Sequence, residues 1–251
     1  MNVGYLKLEL RRVLREPGTL LFVLGFPAAF YVLEVIIFQA EWPDSHDAYD
    51  PATILMPSMA AWGVLISGML VGARVVNERQ AGWQRQLRLT PLSSSGYLLG
   101  KVSVGMLVAV PPPLAVAFVA AAFLGVRLDP AAWVSVTLLV TLGGLPFAIL
   151  GLLVGQVGTR ENVQQITIIG MLVLAIFGGL FIPLQTLPEW FLYVSYVTPS
   201  YWLAELGKSG MAAAIGVEAQ PLLHSAAALT AWTVALAVAV GWRYRHDSAR
   251  T

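Results

Sequence analysis

The chain alternates between long apolar stretches and short polar connections. Six stretches contain at least 20 residues each, at 19–39, 52–76, 97–124, 132–155, 163–182 and 222–242. A helix needs about 20 mostly apolar residues to cross the hydrocarbon core of a bilayer. The pattern therefore predicts an all-α integral membrane protein with six transmembrane helices, and 251 residues leave no room for a sizeable soluble domain.

Residues 2–16 precede the first stretch and have an amphipathic pattern. Apolar and basic side chains fall on opposite sides at helical spacing: Val3, Leu6, Leu10, Val13 and Leu14 against Lys7, Arg11, Arg12 and Arg15. This arrangement is typical of a helix that lies in the membrane interface. A disordered basic tail that only sets the orientation of the chain is the alternative.

Basic residues are concentrated in alternate connections. Of the 15 Lys and Arg, 13 lie in the N-terminal arm, the second and fourth connections with their flanks, and the C-terminal tail. Only Arg127 and Lys208 lie in the other connections. The positive-inside rule therefore predicts that both termini are cytoplasmic. The excess of Arg over Lys is typical of GC-rich bacterial genomes, so we expect a multi-pass protein of the bacterial plasma (inner) membrane.

A few polar or helix-breaking residues inside the stretches are candidates for a transport pathway: Glu34, Pro111, Pro112, Pro113, Gln164 and Gln165. Glu34 is either a snorkelling or partner-paired carboxylate or a group that contacts substrate. The three prolines remove three backbone donors, so the helix must kink or unwind where protein or a water-filled cavity covers the break. A pathway with so little charge suits an amphipathic or lipid-like cargo.

The second connection, 77–95, is the longest on the basic face. Its first half begins with an acidic residue and ends with arginines, as the helix dipole favours, and Thr90-Pro91 ends the predicted helix. Trp83 and Leu87 lie one turn apart among the arginines. Such an apolar pair favours docking to a partner protein, and a membrane-surface helix without a partner is the alternative.

Two groups of residues resemble the signature of ABC-2 type transporter permeases. The first is Glu78-Arg79, Gly82, Leu87, Thr90-Pro91-Leu92 and Gly100-Lys101. The second follows the fifth stretch and consists of Gly178-Gly179-Leu180-Phe181-Ile182-Pro183-Leu184, Leu187-Pro188, Trp190, Pro199 and Tyr201. The resemblance covers essentially the whole chain and is closest to the antibiotic-resistance export branch, such as daunorubicin exporters. Gln80-Ala81 and Gln84 are minor departures from it.

The resemblance implies that this chain forms the membrane-spanning part of a transporter and couples to a separate ATPase. The residues that would couple to a cleft of the nucleotide-binding subunit are Glu78, Arg79, Gly82, Trp83, Leu87, Thr90 and Pro91. A re-entrant extracellular hairpin, 183–201, would gate the exit through Pro183, Pro188, Trp190, Pro199 and Tyr201. The implied partners are two ATPase subunits, a second six-span permease, membrane lipid and a hydrophobic or amphipathic substrate, and no nucleic acid. Residues 2–16 resemble the connecting helix of the family.

The sequence lacks the motifs that would make this chain an enzyme by itself. Its nearest match to a P-loop, 95–102, departs at the first Gly and at the final Ser or Thr. Cysteines are absent, and no metal or hydrolase motif occurs. We therefore expect no cofactor or metal on this chain, with ATP and Mg bound by the partner. The alternatives are a gradient-driven secondary transporter or channel, a membrane-embedded enzyme, and a non-transporting immunity or assembly factor.

Overall fold

The computed structural model describes residues 3–41, 50–81, 94–216 and 219–248. Within these ranges the regular structure is entirely helical, and a short 3-10 turn at Leu184–Thr186 precedes α10. The helices in chain order are α1 (Val3–Leu14), α2 (Pro17–Glu41), α3 (Pro51–Met69), α4 (Val71–Gln80), α5 (Ser94–Val108), α6 (Pro111–Phe123), α7 (Pro130–Gly143), α8 (Leu145–Val157), α9 (Val163–Phe177), α10 (Glu189–Val197), α11 (Pro199–Ile215) and α12 (Leu222–Ser248).

Five segments of the described chain are long and apolar enough to cross a membrane. They are Pro17–Ala40, Pro51–Arg79, Gly96–Phe123, Pro130–Val157 and Leu222–Tyr244. Helix α9 is apolar but has 15 residues, which span about 22 Å at 1.5 Å per residue and fall short of the ~30 Å hydrocarbon core. Large apolar side chains stay exposed on the outer helices, including Leu21, Phe123, Leu223 and Val238. Such a surface is compatible with lipid rather than water.

Helix α3 lies at the centre of the bundle, where it packs against α2, α6, α8 and α11. Glycines spaced one turn apart allow the close approach of α3 and α4 to α8. A Cβ added to Gly72 would lie 2.6 Å from the carbonyl oxygen of Gly151, and one added to Gly155 would lie 2.7 Å from that of Gly72. Gly68 also lies directly against Gly151. These are paired small-xxx-small motifs, which let helix backbones touch in a membrane.

Two of the long apolar segments are interrupted near their centres. The chain leaves regular helix at residues 109–110, immediately before the three prolines that predict a break. The next segment is interrupted at Gly144, two residues before Pro146. Gly63 of α3 packs against Pro112 so closely that a Cβ would clash with the ring. One side of the break before α6 therefore packs against α3, whereas Val110 and Pro111 are exposed on its other side.

The chain after α9 folds back into the bundle through α10 and α11. The Thr198 hydroxyl caps α11 by accepting from the backbone N–H of Tyr201 at 3.4 Å. Helix α11 packs against α3, α7 and α12 and continues well beyond the predicted hairpin, 183–201. It carries a largely buried ion pair between Glu205 and Lys208, 2.8 Å apart. The returning segment is therefore an integral part of the bundle.

Candidate functional site

A buried cluster of charged side chains lies where α1, α4 and α5 meet. Lys101 Nζ donates to Glu9 Oε2 at 2.8 Å and also to Glu78 Oε1. Glu78 accepts a second hydrogen bond from the Tyr97 hydroxyl at 2.9 Å. The Arg12 guanidinium, at the exposed edge of this cluster, lies 3.5 Å from Glu9 and 3.7 Å from Glu78, and its side chain is 47% exposed. These five residues form the charged junction.

The charged junction is balanced, with two carboxylates against two cations. Lys101 and Glu9 are each 2% exposed, so neither charge is compensated by bulk water. A buried pair of this kind persists because each charge has an opposite partner, and removing one partner costs about 3–5 kcal/mol. The charged junction therefore links α1, α4 and α5, and breaking it is costly because a buried charge would be left without a partner.

Residues of the charged junction lie immediately before and after the predicted coupling segment in the sequence. Glu78 lies in the last turn of α4, whereas Tyr97 and Lys101 lie in the first two turns of α5. The connection between these helices contains the predicted coupling segment. Both ends of that connection are therefore tied to each other and to α1.

Arg79 forms a second anchor next to Glu78. Its NH1 donates to the backbone carbonyl oxygens of Gly155, at 3.0 Å, and of Gln156. A cation at the C-terminal end of a helix satisfies free carbonyls and complements the helix dipole. Arg160 adds a longer contact, from its Nε to the Asn77 side-chain oxygen at 3.4 Å. The end of α4 is therefore fixed to α8 as well as to α1 and α5.

The structure describes only part of the predicted coupling site. Glu78 and Arg79 lie in the last turn of α4 and make the contacts given above. The other predicted coupling residues lie outside the described residues: Gly82, Trp83, Leu87, Thr90 and Pro91. Their docking role stays a prediction.

The predicted gate residues lie around α10, at the end of the bundle opposite α1. Trp190 is 60% exposed, whereas Tyr201 is buried in a cluster with Leu184 and Phe191. Pro183 and Pro188 flank the 3-10 turn, and Pro199 is the first residue of α11. The Ser200 hydroxyl donates to the carbonyl oxygen of Leu174 at 2.5 Å. Helices α9, α10 and α11 therefore meet at this end, and gating itself stays a prediction.

The predicted pathway residues do not form one cluster. Glu34 is 4% exposed, and neither of its side-chain oxygens has a hydrogen-bond partner among the described residues. Gln164 and Gln165 are exposed in the first turn of α9, near the end of the bundle that carries α1. Pro112 and Pro113 are buried, and Pro111 is exposed. In this structure the Glu34 carboxylate does not snorkel to solvent.

Sequence reasoning missed Glu9 as a member of the site and used Lys101 only in the charge pattern and as part of a motif. Glu9 lies three residues after Leu6 and four before Val13, at the edge of the predicted apolar stripe of α1, which is a signal that its charge can face the protein. Its partner cannot be read from a single sequence because it is 92 residues away. The glycine pairs of α3, α4 and α8 could have been found by their four-residue spacing.

These features define a multi-pass helical membrane protein with a charged junction at one end of its bundle. A family model described as "ABC-2 type transporter" matches residues 5–211. A protein of Bacillus subtilis (strain 168) named "Putative transport permease YvfS" is 33% identical over 195 residues, which cover 77% of this chain and 78% of that relative. The chain therefore belongs to the ABC-2 type transporter family, and the family resemblance seen in its motifs is confirmed.

Proposed function

We propose that this chain is the non-catalytic, membrane-spanning subunit of an ATP-binding cassette exporter. A separate ATPase subunit binds the coupling segment, 78–89, and ATP and Mg bind to that partner. Two ATPase subunits act on two six-span permeases, and the pathway between the permeases carries an amphipathic or lipid-like substrate. Membership of the ABC-2 family supports a permease that works with an ABC ATPase.

The charged junction, together with Arg79, is the observation that carries this proposal. A force applied between α4 and α5 acts on a segment whose ends are pinned by Glu78 and Lys101. Arg79 links the same helix end to α8, and the glycine contacts hold the junction of α3 and α4 against α8. Movement of the coupling segment is therefore transmitted to α3, α4, α5 and α8 together.

The proposed topology has six spans with both termini in the cytoplasm. Helix α9 begins near α4, where Arg160 contacts Asn77, and approaches α11 at its other end, where Ser200 contacts Leu174. Together with residues 178–182 it supplies the sixth crossing. The end of the bundle that carries α1 also carries Arg74, Arg79 and Lys101, which is consistent with a cytoplasmic face.

The proposed cycle starts when ATP closes the two ATPase subunits. Each subunit moves its coupling segment, and α4 and α5 tilt with it because Glu78 and Lys101 connect them. The tilt reaches the opposite end through α3 and α8, where Pro183–Tyr201 opens the exit. Pro111–Pro113 provide the point at which the span of α5 and α6 bends.

Cross-linking tests the ATPase partnership, because the chain has no cysteine of its own. Two matched substitutions place single thiols at exposed alanines at opposite ends of the bundle, Ala81→Cys and Ala131→Cys. In the native host, Ala81→Cys should cross-link to a nucleotide-binding protein, and Ala131→Cys should not. Recovery of no nucleotide-binding protein from Ala81→Cys would contradict the proposal.

The same two variants test the topology. A membrane-impermeant maleimide should label Ala131→Cys in intact cells and label Ala81→Cys only after the membrane is permeabilised. Labelling of Ala81→Cys in intact cells would show the opposite orientation and contradict the assignment of the coupling segment to the cytoplasmic face.

A further inference from the structure

Helix α2 carries a ladder of aromatic rings that ends one turn before Glu34. Phe22, Phe26 and Phe30 follow one another at four-residue spacing, with ring centroids 5.2 Å and 5.9 Å apart and planes within 21° of each other. Residues four apart lie on the same face of a helix. Glu34 is therefore the next position on the same stripe. The first two rings are exposed, whereas Glu34 is buried.

The ladder continues across the bundle to the segment that leads into the predicted gate. Phe30 contacts Phe181 edge-on at 5.1 Å, and Phe181 contacts Trp62 of α3 edge-on at 4.9 Å. The Trp62 indole N–H is buried and has no acceptor among the described residues. Phe181 lies two residues before Pro183. The rings thus extend from the exposed side of α2 to the gating segment.

Glu34 is a buried carboxylate that has no positively charged partner among the described residues. Its two oxygens are buried and make no hydrogen bond within the described chain, and no basic side chain there pairs with it. A buried ionised carboxylate is costly unless a positive group compensates it. Aromatic faces next to a carboxylate also attract organic cations, because the ring quadrupole is negative on its face. The missing partner is therefore expected to be a cation with an apolar body.

We propose that the aromatic ladder and Glu34 form a binding site for amphipathic organic cations. This inference rests on the proposed function, because it names the chemical class of the cargo. The charge of the cation pairs with the Glu34 carboxylate, and its apolar body lies against Phe30, which is one turn away on the same stripe. Phe181 covers the inner part of the site in this structure. Movement of the gating segment withdraws Phe181 and opens the way to Glu34.

Binding of two ions of the same shape and opposite charge tests the proposal. The full chain, purified with any subunit that accompanies it, is dialysed in detergent against tetraphenylphosphonium or tetraphenylborate, and binding to protein-free micelles is subtracted. The wild type should bind the cation at least tenfold more tightly than the anion. Equal binding of the two ions, or a preference for the anion, would overturn the proposal without requiring any variant.

Substitutions locate the site. Glu34→Gln keeps the size of the side chain and should lower the affinity for the cation at least tenfold while leaving binding of the anion unchanged or tighter. Glu34→Asp keeps the charge and should retain the preference for the cation, and Phe30→Leu, which removes the ring but keeps an apolar side chain, should lower the affinity for the cation severalfold. The control Glu161→Gln, at an exposed glutamate in the turn between α8 and α9, should bind the cation as the wild type does. Unchanged binding of the cation to Glu34→Gln would overturn the proposal.

The binding assay needs no ATP, so its outcome is separable from that of the cross-linking experiment. Loss of cation binding in Glu34→Gln without any ATPase adduct at Ala81→Cys would keep this site and reject the proposed exporter. An ATPase adduct without a preference for the cation would keep the exporter and reject this site.

Discussion

Lys101 and Glu9 are 92 residues apart in the sequence, yet the Lys101 ammonium donates to the Glu9 carboxylate at 2.8 Å. Both side chains are 2% exposed. Because Lys101 also pairs with Glu78, one ammonium holds α1 and the end of α4 at the start of α5. Helix α1 cannot move away from the end of α4 and the start of α5 without exposing or breaking this pair.

Removing the ammonium of Lys101 should therefore weaken the fold more than removing a surface charge. Lys101→Met leaves two buried carboxylates without their shared partner, and we expect a loss of about 3–5 kcal/mol. Thermal unfolding of the purified protein in detergent measures the change.

Arg74→Met is the matched control for Lys101→Met. Arg74 pairs with Glu16 at 3.2 Å, but this pair is more exposed, so its loss should cost at most about 1 kcal/mol. Equal melting temperatures for the two variants would show that the charged junction does not hold the helices together.

The coupling segment should be needed for transport but not for assembly of the spans. Trp83→Asp, or Gly82→Pro, should leave the protein inserted and folded while ATP hydrolysis by the complex no longer drives export. The physical reason is that a charge in the predicted docking surface, or a proline in the predicted coupling helix, weakens binding to the ATPase. Parallel assays of ATP hydrolysis and vesicle transport measure the uncoupling.

Gln84→Glu is the control for the coupling variants, since Glu or Thr is usual at this position in the family that the chain resembles. It should transport as the wild type does. Normal transport by Trp83→Asp would reject the coupling role of the segment.

Long apolar runs made the helical class of this protein predictable. The bilayer requires every backbone group to be paired within a helix, so length and hydropathy almost determine the structure of such a segment. The three prolines at 111–113 likewise predict the interruption before α6, because proline cannot donate a backbone hydrogen bond. The helical class and the interruption before α6 both depend only on the local sequence.

Contacts between distant segments could not be predicted in the same way. The pairing of Glu9 with Lys101 depends on how α1 rests against α5, which no local pattern encodes. The sequence pattern places Lys208 in an outer connection, but α11 extends through this position and pairs Lys208 with Glu205. Packing of α11 against α3, α7 and α12, which depends on distant segments, accounts for the length of the helix.

The glycine contacts between α4 and α8 should tolerate no side chain. In Gly72→Ala the new methyl group would lie 2.6 Å from the Gly151 carbonyl oxygen, and in Gly155→Ala 2.7 Å from that of Gly72. Overpacking of this kind costs about 1–3 kcal/mol, which a lower melting temperature and a lower yield of folded protein would reveal.

Gly241→Ala is the control for these glycine variants, because nothing lies within 4 Å of its added methyl group. It should be neutral or stabilising, since alanine favours a helix by up to about 1 kcal/mol over glycine. A stable Gly72→Ala protein would mean that the two helices separate more easily than the structure indicates.

The interruption between α5 and α6 should serve movement rather than stability. Replacing Pro111, Pro112 and Pro113 together by alanine restores three backbone donors, so the two helices can join into one. We expect a melting temperature at or above that of the wild type and transport reduced severalfold, because the span loses its bending point. The control Pro130→Ala, in the first turn of α7, should leave transport unchanged since proline is easily replaced there. Full transport by the triple variant, measured in vesicles beside a melting curve, would show that the break has no part in the cycle.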